Sequence, residues 1–171
     1  MADRVARGRS DLEGLFRQHY AGLLRLARVL TGDDELAEDL AQEAFVRLNA
    51  RAAWPQPGAE LAYLRRTVVN LSHDHFRRRG VVLRHSRGAR DDLGDVTSPA
   101  ALERAEQHRV ASAVRRLPAR QRDCVVLRYY AGCSDSEVAA LLDIGIGSVK
   151  SNIARARSRL ARELRDLRDQ T

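Results

Sequence analysis

The segment SDSEVAALLDIGIGSVKSNIARARSRL, beginning at Ser134, constrains this chain more than any other feature. Its apolar spacing predicts a short helix over Asp135–Leu142, capped by Ser134 or Asp135. A glycine-bearing turn at 143–146 follows, and then a long helix from Gly147 to about Arg168. Val138, Ala139 and Leu142 supply the packing side of the first helix. Val149, Ile153, Ala156, Leu160 and Leu167 fall on one side of the second. The other side carries Ser148, Ser151, Arg155, Ser158 and Arg162, with Lys150, Asn152 and Arg157 at its edges. Hydroxyls and amides near a helix start, with arginines behind them, suit a groove lined by base edges and walled by phosphate. The plainer reading is a helical hairpin with a basic solvated face. Turn chemistry and charge sorting favour the helix-turn-helix.

Charge is sorted along the whole chain. Its 171 residues have room for one ordinary domain or two small ones, and 30 basic residues against 23 acidic ones fit a polyanionic partner. Residues 61–90 hold eight Arg against one Asp, and 144–168 hold seven basic residues against two acids. From 11 to 50 the balance reverses, with eight acids against four Arg, and the acidic helix within that stretch cannot be a DNA-binding face. Phosphate would repel it; a protein surface is its natural partner, an ordinary solvated face being the alternative.

Upstream of the hairpin the pattern is helical throughout, so the expected class is all-α. Residues 1–10 are polar and basic and read as a frayed end. From Asp11, Leu12, Leu15, Phe16, His19, Leu23, Leu26, Ala27 and Leu30 form one helical face that stops at Thr31-Gly32. Asp33 or Asp34 caps a second helix with Leu36, Ala37, Leu40, Ala41, Ala44, Phe45 and Leu48 inward and Glu35, Glu38, Asp39, Gln42 and Glu43 outward. After a turn at 54–58 a third helix is expected from about Glu60 to Arg78. Leu61, Leu64, Val68, Leu71 and His75 are its buried stripe. Arg66, Asn70, His73 and Arg77 form a second, polar line flanked by Arg65, Arg78 and Arg79. For one helix in isolation, an ordinary solvated face accounts for such a line.

Residues 80–100 lose periodicity and read as a linker, which gives domains at 10–79 and 101–168. Extended, some twenty residues reach roughly 70 Å, at about 3.3–3.6 Å each. That is about two turns of DNA at roughly 34–36 Å per turn. Beyond the linker, Pro99–Leu117 reads as a helix, and Pro118 suits the first turn of another running to about Ala131 and ending at Gly132.

Other function classes find little in the sequence. Cys124 and Cys133 are too few for a disulfide scaffold and read as core thiols, a redox-sensing pair being the lesser alternative. No apolar run spans a membrane and no signal-peptide pattern appears, so a cytoplasmic protein without membrane insertion is expected. His73 and His75 lie on different helix faces and make no local metal pair. No nucleophile–base spacing or phosphate-binding glycine loop appears, so neither catalysis nor a cofactor is expected. The remaining rivals are a transcriptional regulator that binds DNA without entering polymerase, and a helical RNA-binding protein.

The stretch LPARQRDCVVLRYYAGCSDSEVAALLDIGIGSVKSNIARARSRL resembles the fourth conserved region of bacterial RNA polymerase sigma factors of the extracytoplasmic-function (ECF) class. DELAEDLAQEAFVRL and AYLRRTVVNLSHDHFRRR resemble the second. The resemblance covers roughly 10–79 and 101–168. It implies two small helical domains, a region-2 bundle and a region-4 helix-turn-helix, that give core polymerase its promoter preference.

By position, the resemblance implies that Asp39, Gln42 and Glu43 dock on the clamp helices of the polymerase largest subunit. Asn70 would sit near a flipped-out base of the −10 element, with Arg66, His73, Arg77 and Arg78 contacting DNA nearby. Ser148, Lys150, Ser151, Asn152, Arg155 and Arg157 would read the −35 element in the major groove. The polymerase flap and promoter DNA are implied partners, and a cognate anti-sigma factor is common in the class. Asn152 stands where the family usually carries Arg, and Gly145 and Gly147 bracket Ile146. Both departures leave the −35 sequence preference open.

Overall fold

The computed structural model describes residues 2–82 and 99–168, with side chains from 12 to 78 and from 107 to 165. Among them every regular element is helical: α1 (Ala2–Thr31), α2 (Asp34–Asn49), α3 (Glu60–Val82), α4 (Pro99–Arg116), α5 (Ala119–Val125), a π turn (Val126–Tyr130), α6 (Asp135–Leu142) and α7 (Ile146–Arg168).

The end of α1 shows why the chain turns where it does. Gly32 takes φ +70°, which a side chain would strain, and the Thr31 hydroxyl donates to the Ala27 carbonyl at 2.8 Å. Asp33 then caps α2, its carboxylate accepting from the Leu36 N–H at 3.0 Å. Ala37, Leu40, Ala41, Ala44, Phe45 and Leu48 bury one face of α2 against α1 and α3. Leu64, Val68, Val69 and Leu71 close that bundle from α3.

In the second half, α7 packs on α4, α5 and α6. Val149 and Ala156 are fully buried, with Ile153 and Leu160 half-buried beside them. Ser134 caps α6, and Asp143 ends it in the left-handed region at φ 54°.

Several expectations need correction. Helix α1 begins at Ala2, not Asp11, and α3 continues past Arg78 to Val82. Without an apolar stripe, residues 2–10 and 79–82 gave no periodic signal, yet their composition tolerates helix. Phe16 is 41 % exposed rather than inward. Pro118 sits just before α5 instead of inside its first turn. The helix expected to run to Ala131 switches at Val126 to π geometry, with the Ala131 N–H reaching back to the Val126 carbonyl at 3.1 Å. That wider turn leaves Tyr129 and Tyr130 more than half exposed. Most of the stretch read as a linker lies outside the described residues, as does the Leu167 side chain.

The two halves share one core. A single apolar cluster runs from Leu23, Leu26 and Leu30 on α1 through Leu64 and Val68 on α3 to Val114, Cys124, Val126, Leu127 and Val138. Polar ties cross the same seam. The Arg65 guanidinium donates to the Ala131 carbonyl at 2.7 Å and reaches Cys133 Sγ at 3.4 Å. His73 Nε2 meets the Asp123 carboxylate at 2.8 Å, and Arg122 lies 5.3 Å from the centre of the Phe76 ring. At the end of α1 the Arg115 side chain of α4 lies within 2.6 Å of where a Cβ on Gly32 would stand; that flexible side chain can give way, and it is the positive φ that calls for glycine there.

Candidate protein and nucleic-acid interfaces

The outward face of α2 is acidic because its inward face uses up the apolar residues. Glu35, Glu38, Asp39 and Gln42 are exposed and Glu43 half-exposed, as the spacing predicts. Neighbours already neutralise part of this face. Arg28 holds Asp34 at 2.9 Å and Glu38 at 3.8 Å, and Arg47 holds Glu43 at 2.8 Å. Asp39, like Glu35, is exposed and has no cationic partner among the described residues, so its charge is open to an incoming cation.

Beside this face lies an apolar patch that the periodicity did not announce. Val46, 59 % exposed, and Phe16 line a shallow groove with Leu12, Phe45, Glu13 and Asn49. Phe16 stacks on Tyr20 at 4.5 Å and tilts against Phe45 at 5.0 Å, which holds the exposed ring in place. The signal was present: Val46 follows Asp39 and Gln42 at helical steps, an apolar residue in an acidic line.

On α3 the polar line divides. Arg66, Asn70, Arg77 and Arg78 are exposed, Arg77 pairing with Asp74 one turn back at 3.0 Å. His73 is drawn out of the line toward Asp123, whose side chain is wholly buried. Arg65 turns away to the seam. Burial pulls the Arg122 guanidinium below its ordinary range, the adjacent Asp123 opposing that shift.

On α7, Ser148, Lys150, Ser151, Arg155 and Arg157 are exposed and Asn152 is half-exposed. Several lie back on their own helix. Asn152 Nδ2 donates to the Ser148 carbonyl at 2.8 Å, and Arg155 donates to the Ser151 carbonyl at 3.2 Å and to its hydroxyl at 3.3 Å. Lys150 and Arg157 make no such hydrogen bond among the described residues. The face is a row of donors over a rigid helix, which Val149 and Ala156 root in the core.

Among the described residues no cluster of three or more His, Cys, Asp or Glu is placed to hold a metal ion, and no helix is long and apolar enough to cross a membrane. Burial, with Asp123 adding to it, pushes the Cys124 thiol up to about 11. Burial raises Cys133 as well, against the opposing pull of Arg65. Both cysteines are buried and unpaired, as core thiols.

Comparison with known proteins agrees with this arrangement. The Sigma-70 region 2 family matches residues 15–81, and the Sigma-70, region 4 family matches 107–160. The ECF RNA polymerase sigma factor SigM of Mycobacterium tuberculosis is 36 % identical over 169 residues, 96 % of this chain and 82 % of that protein. The RNA polymerase sigma-E factor of Streptomyces avermitilis is 34 % identical over 163 residues, 92 % of this chain and 88 % of that one. Among solved structures, the sigma factor RpoE of Bartonella quintana, in complex with the anti-sigma factor NepR, aligns with a TM-score of 0.73. The alignment covers 91 % of this chain and 97 % of that one at 24 % identity. CnrH, in complex with the cytosolic domain of CnrY, aligns with a TM-score of 0.68 over 95 % of each chain, also at 24 % identity. At that identity the structures speak for the fold, and the sequence relatives speak for the family. With helical bundle and helix-turn-helix in the same order and both matched over nearly their whole length, this chain belongs to the ECF RNA polymerase sigma factors.

Proposed function

We propose that this sigma factor assigns its three tasks to three separate helices. It directs RNA polymerase to promoters, the activity of its family. In this reading Asp39, Gln42 and Glu43 on α2 engage the clamp helices of the polymerase largest subunit, with Phe16 and Val46 as an apolar margin. Arg66, Asn70, His73, Arg77 and Arg78 hold the melted −10 strand. Ser148, Lys150, Ser151, Asn152, Arg155 and Arg157 read the −35 element. The domains are 10–79 and 101–168 with a linker at 80–100, a division supported by the loss of helical periodicity in that stretch of sequence.

The observation that carries the proposal is the segregation of charge: acid exposed on α2, base exposed on α3 and α7. Capturing an extruded base returns part of the stacking lost on melting, on the order of a few kcal/mol. A domain this small cannot drive the melting of several pairs alone, so polymerase has to hold both elements. The chain then acts as a regulatory protein with no reaction of its own, in the cytoplasm where polymerase works. The polymerase flap is a second docking point for the helix-turn-helix domain. A cognate anti-sigma factor is a further expected partner, supported by RpoE and CnrH having been solved with NepR and CnrY.

The test is in vitro transcription with core polymerase and this chain, with start sites mapped. Initiation at defined positions preceded by common −10 and −35 sequences is expected. Random or absent initiation overturns the proposal.

A further inference from the structure

Among the described residues five large apolar side chains stand exposed: Phe16, Val46, Tyr129, Tyr130 and Ile146. Ile146 is the one on α7, where it is the first residue and 47 % exposed. Ile144, two positions earlier, behaves as an isoleucine ordinarily does: it is half-buried and packs on the shared core. Ile146 instead leaves apolar surface in water that a covering partner would remove from it.

Helical spacing says which partner surface it meets. Lys150 follows Ile146 by four residues and Arg157 by eleven, so the three lie along one edge of α7, Lys150 and Arg157 exposed as well. In a helix-turn-helix the first residues of the second helix reach base edges, and basic side chains farther along meet phosphate. Ile146 holds the base-edge end of this line. Elsewhere on the face Ser148 and Ser151 offer hydroxyls to hydrogen-bonding groups. The apolar group that base edges present in the major groove is the C5-methyl of thymine.

The two glycines beside Ile146 point the same way. A Cβ at Gly145 or Gly147 would meet nothing within 4 Å, and neither takes a positive φ. Helix propensity also disfavours glycine inside α7 at position 147. What glycine provides here is a bare backbone that another molecule can approach closely.

We infer that Ile146 is a specificity-determining residue that packs on a thymine methyl of the −35 element, with Gly145 and Gly147 clearing its approach. The inference rests on the reading of α7 as the −35 face and deepens it by naming the base and the chemical group that is read. Thymine and uracil differ in that methyl alone, so hydrogen-bonding side chains on the same face do not tell them apart.

The experiment uses holoenzyme, core polymerase with the full-length chain, on a promoter fragment recovered by start-site mapping. Each thymine of its −35 element, on either strand, is replaced in turn by uracil. At one position wild-type holoenzyme should lose roughly fourfold in affinity, the effect of burying one methyl group. Ile146→Ala should bind the thymine fragment several-fold more weakly and be indifferent to uracil at that position, with circular dichroism confirming its fold. Gly147→Ala serves as the second variant. It should keep or raise the urea midpoint, yet weaken binding to the thymine fragment and shrink the penalty for uracil. Holoenzyme that selects its −35 element but ignores uracil at every position overturns the inference and leaves the −35 assignment of α7 standing. So does an Ile146→Ala chain that keeps the full uracil penalty, or a Gly147→Ala chain that binds as wild type does. Binding that is unchanged when the whole −35 element is replaced overturns both.

Discussion

Ser134 and Glu137 cap each other at the start of α6. The Glu137 N–H donates to Ser134 Oγ at 3.2 Å, while the Ser134 N–H donates to Glu137 Oε2 at 2.7 Å. This reciprocal pair satisfies two backbone donors that the helix would otherwise leave open, and it fixes the entry of the first helix of the helix-turn-helix. The Ser134 N–H holds the Glu137 carboxyl below its usual range, and the Ser134 hydroxyl, donating to Glu137 Oε2 at 2.7 Å, adds to that pull.

Ser134→Ala should therefore destabilise the protein by about 1 kcal/mol, read as a lower midpoint in urea. The Glu137 contribution has a defined pH sense. Its folded pKa lies below the unfolded value, so the stabilisation is present above the ordinary carboxyl range of about 4.3 and fades as acid protonates the group. Glu137→Gln should flatten stability against pH on the acid side and leave the alkaline side unchanged. An acid limb identical to wild type would show that the cap carries no charge-dependent part.

Cys124 gives the opposite sign at the other end of the scale. Its thiol is pushed up to about 11 in the folded chain, whereas an unfolded cysteine ionises near ~8.5. Between those values the unfolded state binds fewer protons, so stability falls as pH rises through the window. Iodoacetamide should modify the folded chain slowly at neutral pH and rapidly once urea unfolds it. Fast labelling of Cys124 in the native protein at pH 7 would contradict its burial.

Charge reversal on α2 should separate Asp39 from Glu43. Asp39→Lys is expected to weaken core polymerase association tenfold or more, about 1.4 kcal/mol. Glu43→Lys should cost less, because Arg47 already occupies part of that carboxylate. Binding to a −35 duplex should be unaffected by either change. Undiminished polymerase binding by Asp39→Lys would rule out this face as the dock.

On α7 the basic side chains should be legible in salt. Alanine at Lys150, Arg155 or Arg157 is expected to reduce the slope of log affinity against log salt by roughly one unit for each phosphate no longer neutralised. Arg155 also braces Ser151, so its replacement should loosen sequence preference as well. Slopes unchanged in all three variants would remove these residues from the DNA interface.

The helices were legible because burial repeats with their period. Ala37, Leu40, Ala41, Ala44 and Leu48 sit on one face and are buried there, and Gly32 ends α1 where a left-handed residue is needed. The outward acids of α2 and the exposed bases of α7 followed from the same periodicity. The domain seam was not legible. His73 and Asp123 lie fifty positions apart, and a carboxylate on a short helix reads locally as solvated. Phe16 shows the converse: periodicity gives the line a residue stands on, not whether anything covers it. The π turn at Val126–Tyr130 was hidden too, since its residues suit an ordinary helix equally well.

The shared core has a consequence for recombining members of this family. Because Leu30 and Val68 belong to the same cluster as Val114 and Leu127, neither half buries its apolar surface with its own residues alone. A chimera that takes its C-terminal half from a relative inherits side chains shaped for another mate. On the proposed assignment of α7 to the −35 element, transplanting promoter preference between such proteins means moving the surface of α7 while leaving the residues beneath it in place.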